Sequence, residues 1–190
     1  MQTEYLELRK KRSYLWLYKI IGKIILSRIP LIYQIWQKLG IFRHGKMDDV
    51  DYALQTFLMH IKNLKLENKI DGMTILELGP GDSASSALIA SALNCRCILV
   101  DTGNFVSKDL NMYFDLREKL IDIGLNPPDL SNVSNINDII KICDSEYHTE
   151  GIQSLKSIRT DSIDIIFSQA VIEHIRLNIF DKTISELRRI

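Results

Sequence analysis

Gly79 and Gly81 follow directly on an apolar run, Thr74 to Leu78, and Asp101 closes a second one, Cys97 to Val100, about 20 residues further on. That spacing has a chemical use. A strand that enters a glycine loop and then a helix brings backbone closer to a ligand than a residue with a Cβ permits, and a carboxylate at the tip of the next strand can grip ribose hydroxyls. On the plainer reading these are a glycine turn of any α/β protein and a solvated strand-end acid. Loop, helix and acid-tipped strand together favour a Rossmann-type site for an adenosine-bearing cofactor.

Gly79-x-Gly81-x-x-Ala84 also fits the fingerprint of a dinucleotide site. Charge separates the two. A dinucleotide lays an anionic pyrophosphate on the loop and on the helix N-terminus, whereas here Glu77 flanks the loop and Asp82 lies within it. S-adenosyl-L-methionine has no phosphate and brings an ammonium and a sulfonium, which those carboxylates attract. It is the expected cofactor. An NAD(P)-dependent oxidoreductase is the alternative enzyme, and a non-catalytic protein that keeps a cofactor cleft is the alternative of another kind.

The elements that must position these residues can be read along the chain. Residues 5–29 carry an amphipathic helical pattern that Pro30 ends, 31–39 form a second helical piece and 49–66 a third. Domain boundaries are placed at 1–70, a helical arm or lid, and 71–190, the cofactor domain. From Met73 strands and helices alternate, the mark of a parallel sheet with crossover helices. Strands are expected at 74–78, 97–100, 146–149 and 163–167; Ser83 is the expected N-cap of the helix after the glycine loop, and a last helix starts near Asp181. Roughly 45 residues separate strands two and three, which suggests an inserted cap over the site.

Ile75-Leu76-Glu77-Leu78-Gly79-Pro80-Gly81-Asp82-Ser83, Leu99-Val100-Asp101 and Ile163 to His174 together resemble the class I S-adenosylmethionine-dependent methyltransferases over residues 73–190. The resemblance implies a Rossmann-like domain that transfers a methyl group to an oxygen or nitrogen of a small-molecule or glycan acceptor. It also implies cofactor contacts at Glu77, Leu78, Gly79, Pro80, Gly81, Asp101 and Thr102, an adenine contact near Glu150, and a place beside the reacting methyl for Ser168 and Gln169. The family's third loop glycine is Ser83 here. The Asn/Asp-Pro-Pro-aromatic motif of base methylation is absent after strand four, which argues against nucleic acid as acceptor. The Glu173-His174 pair is similar to part of a magnesium site of RNA-end 2′-O-methyltransferases, but Ala170 stands where the further Glu would be, so no metal is expected. His174 is then either a general base, its ordinary pKa near 6.5 suiting proton removal, or a packing residue at a helix start. The pattern of loop and N-terminal arm is similar to bacterial methyltransferases associated with surface polysaccharides. That family continues into further strands, so the chain reads as ending within the fold, with strand four as an exposed edge open to self-association.

Bulk composition sets the remaining limits. The 190 residues carry no net charge, yet residues 1–46 hold ten Lys/Arg against two acids. With Tyr14, Trp16, Tyr18, Trp36 and Phe42 interleaved, the arm reads as a lid with solvated lysines or as a peripheral contact with an anionic bilayer. Lys19, Lys23, Arg28 and Pro30 break its apolar stretch, so it is not a membrane span. Cys95, Cys97 and Cys143 make an odd set with no C-x-x-C pair, which points to a reduced, cytoplasmic setting rather than a disulfide framework or a zinc site.

Overall fold

A computed structural model describes residues 49–66 and 69–190. The helices expected at 5–29 and 31–39, and with them the lid or bilayer surface, lie outside the described residues. Helix α1 (Val50–Asn63) opens on Asp49, whose carboxylate accepts the Tyr52 N–H at 2.9 Å, and buries Ala53, Leu54, Phe57 and Ile61. There follow β1 (Thr74–Leu78), α2 (Ser85–Ala92), β2 (Arg96–Val100), α3 (Asn111–Asp122), α4 (Ile136–Ile142), β3 (Glu146–His148), α5 (Ile152–Ser157) and β4 (Ile165–Phe167). A 3-10 turn (Ile172–His174) leads into α6 (Leu177–Arg189). Among the described residues no helix is long and apolar enough to cross a membrane.

The four strands are all parallel, in the order β3-β2-β1-β4. Helices cover both faces, so the strands are apolar almost throughout. On one face Ile75, Cys97, Leu99, Ile165 and Phe167 share a core with residues of α1 to α4; on the other, Leu76, Leu78, Ile98 and Val100 pack with Leu155, Ile158, Leu187 and Ile190. This is a Rossmann-like α/β arrangement. Helix α1 falls in the 1–70 segment that the sequence set apart, and its Leu54, Phe57 and Ile61 belong to the core of the sheet. All three cysteines are free and buried, and burial pushes the Cys143 thiol up to about 12.

Three expectations shift. The stretch between β2 and β3 is not a cap: Leu116, Leu120, Leu130, Ile139 and Ile140 are buried in the core, because α3 and α4 present apolar faces to it. Strand β4 is shorter than 163–167. Asp164 ends it by giving its N–H to Thr74 O and accepting the Thr74 N–H on its carboxylate at 2.8 Å, while Ile163 N–H turns to Ile190 O at 2.9 Å. Helix α6 starts at Leu177, a turn before Asp181. No side chain caps it, and Asp181 O accepts the Ser185 hydroxyl inside the helix.

Candidate cofactor site

The carboxyl ends of β1, β2 and β4 meet around the glycine loop. Gly79 and Gly81 adopt φ of +77° and +66°, a left-handed region that costs glycine nothing. Gly79 N–H reaches Val100 O at 2.8 Å and closes the loop against β2. Asp101 then organises the centre. Its Oδ2 accepts the Gly81 N–H at 3.1 Å and its Oδ1 the Thr102 N–H at 2.7 Å. Its backbone is held as firmly: its N–H donates to His148 O and its carbonyl accepts the Gly151 N–H, both at 2.8 Å. A carboxylate has about four lone-pair sites, so two remain for a ligand.

Glu77 lies beneath this loop, only 1% exposed. Its Oε2 has no hydrogen-bond partner among the described residues. Burial pushes its carboxyl up to about 7; the Ser86 side chain acts against that shift and the negative charge of Asp101 adds to it. A buried acid of this kind is stabilised by any cation that arrives beside it.

Helix α2 does not start as expected. Ser83 Oγ accepts the Ser85 N–H at 3.1 Å, but the cap position is Ala84, whose own N–H donates to the Tyr113 hydroxyl at 2.8 Å. The first amides of α2 thus already have protein partners. Across the cleft Tyr147 ties down the loop after Asp101, its hydroxyl donating to Gly103 O at 3.0 Å and accepting the Phe105 N–H at 3.2 Å.

The turn after β4 completes the site. Ser168 Oγ donates to Leu78 O at 3.0 Å, and Gln169 Oε1 is hydrogen-bonded to His60 Nε2 at 3.1 Å. His60 in turn stacks on Phe167 at 4.8 Å. Ala170 takes φ +55° and Val171 packs onto Gly79, where a Cβ would stand 2.4 Å from Val171 Cγ2. The bare Cα of Gly79 is therefore filled by protein.

Of the residues singled out from sequence, Gly81, Asp101 and Thr102 are joined by direct hydrogen bonds, Gly79 is tied to Val100 beside them, and Glu77 is close enough to feel Asp101. Leu78 and Pro80 are buried, Leu78 within the core of the opposite face. Glu150 is exposed; it donates its N–H to Ser154 Oγ and adjoins Gly151. His174 lies three residues beyond Val171. It is exposed on the 3-10 turn, and its backbone N–H bonds to Val171 O. Sequence reasoning missed Tyr113, Tyr147, Gly151, Val171 and His60. Only Gly151, a glycine just past a strand, carries a local signal. Compared with protein-family profiles, curated proteins and solved structures, the chain matches none of them.

Proposed function

We propose that the chain is an S-adenosylmethionine-dependent methyltransferase acting in the cytoplasm on a small-molecule or glycan acceptor. The observation that carries this reading is Glu77, buried at the end of β1 with an unpartnered carboxylate oxygen next to Asp101. Such a site suits a cation. The partnered amides at the start of α2 and the acids around the loop weigh against a pyrophosphate, which needs free N–H groups there.

In this reading Glu77 receives the ammonium of the cofactor and Asp101 accepts its ribose hydroxyls. Bound there, S-adenosylmethionine supplies an electrophilic methyl group on a sulfonium, open to in-line displacement by an acceptor oxygen or nitrogen, and the chain contributes mainly alignment. Ser168 and Gln169, on the turn after β4, would face that methyl. His60 is held by Gln169 and Phe167 beside that turn, and His174 stays the candidate general base of this reading.

Calorimetry on the full chain with S-adenosylmethionine, its demethylated product and NAD tests the reading. The first two should bind and NAD should not. Asp101→Ala removes charged hydrogen bonds and should weaken binding by about one to two orders of magnitude. Saturable NAD binding with no response to S-adenosylmethionine would sink the proposal.

A further inference from the structure

A second cleft, of about 340 Å³, opens on the face of the sheet covered by α5, toward the amino ends of β1 to β3. Its volume is in the range of small-molecule sites. Arg96, Glu146, His148, Ser157, Arg159 and Ser162 line it, over an apolar floor that includes Ile98 and Ile158. Glu146 is held between two donors: Arg96 is hydrogen-bonded to one carboxylate oxygen and His148 Nε2 to the other at 2.6 Å. Arg159 makes no ion pair among the described residues. Among the lining side chains two guanidiniums face one carboxylate, and the Asp164 carboxylate is turned to the N–H of the lining Thr74.

The serines add a second recognition element. Ser157 Oγ donates to Ser154 O at 2.7 Å and Ser162 Oγ to Arg159 O at 2.6 Å, so both hydroxyl hydrogens are committed. What these oxygens offer to the cleft is lone pairs, suited to hydroxyl donors of a ligand. The rim is also held in place. Arg189 donates to Leu155 O, Ile158 O and the Thr160 hydroxyl, and Ser162 and Ile163 give their N–H groups to Ile190 O. A fixed rim lowers the ordering cost of binding.

We infer that this cleft binds the phosphate monoester of a hydroxylated small molecule, with Arg159 and the free N–H groups of Arg96 on the phosphate and Ser157 and Ser162 accepting from ligand hydroxyls. A guanidinium fork matches phosphate oxygens in geometry and charge. The site does not depend on the cofactor reading.

The test is calorimetry on the full chain with glucose 6-phosphate, inorganic phosphate, glucose and glucuronate as probes. Glucose 6-phosphate should bind saturably and more tightly than inorganic phosphate, and glucose should not bind. Arg159→Gln should weaken glucose 6-phosphate by about tenfold or more, and Arg159→Glu should abolish its binding, both without lowering the melting temperature because the residue is exposed. Absence of glucose 6-phosphate binding, or an affinity unchanged in both variants, would overturn the site. Glucuronate binding as well as glucose 6-phosphate would overturn its assignment to phosphate.

Discussion

At the carboxyl ends of the strands Glu77, Asp82 and Asp101 gather about a glycine loop, and the holding is done largely by backbone: two left-handed glycines and amides that reach Asp101. Toward the amino ends the charged groups are Arg96, Glu146, Arg159 and Asp164, and the holding is done by half-exposed side chains around an open cleft. The same parallel sheet thus holds its polar groups by different means at its two ends. Backbone-held geometry tolerates little change, whereas an exposed ion network is soft, because water competes for each of its members.

The largest effect should come from Gly79→Ala. A non-glycine residue in the left-handed region costs about 1–2 kcal/mol, and the clash with Val171 adds an overpacking cost of about 1–3 kcal/mol. Urea denaturation should show the sum, and Val171→Gly in the same chain should return the packing part alone. A neutral Gly79→Ala would mean that the loop is not clamped as described.

Glu77→Gln sharpens the comparison through pH. The folded chain holds the Glu77 proton up to about 7, while the ordinary value is 4.5. Between those values the folded state binds the extra proton, so this contribution is fully present below pH 4.5, falls as pH rises, and levels off above about 7. The loss amounts to about 3 kcal/mol. Stability measured against pH should fall in the native chain relative to the Gln variant, which should be the more stable at pH 8 and yet bind S-adenosylmethionine poorly. Parallel profiles for the two proteins would show that Glu77 is not buried as a neutral acid.

Glu146→Gln marks the other end of the scale. It breaks a network whose side chains are 31–45% exposed, so stability should change by less than about 1 kcal/mol in urea. A loss as large as that of Gly79→Ala would erase the contrast between the two ends.

The carboxyl-end site was legible where its signals are local. Thr74 to Leu78, the glycine pair and Asp101 declare themselves by an apolar run, a turn and a spacing, and the structure brings them together as expected. Tyr113, Val171 and His60 act through contacts with residues far away in the chain, and nothing in their neighbourhoods marks them. The boundary of β4 failed for the same reason. Asp164 and Ile163 find their partners at Thr74 and Ile190, so an apolar run that reads as one strand is divided between two neighbours. Helices α3 and α4 read as a cap because length alone was weighed, whereas their apolar faces decide that they fold inward.

The hydrogen bonds of Arg189 to Leu155, Ile158 and Thr160 have a consequence for what holds the amino-end rim together. Helix α5 spans six residues, and helices shorter than about 12 residues do not persist alone in water. The carbonyls of Leu155 and Ile158 find their partner in a side chain carried by α6. Helix α5 is therefore a dependent element that holds its shape in one unit with α6. The rim of the amino-end cleft exists only while α5 and α6 stay docked, so loosening α6 should open that cleft before it disturbs the sheet.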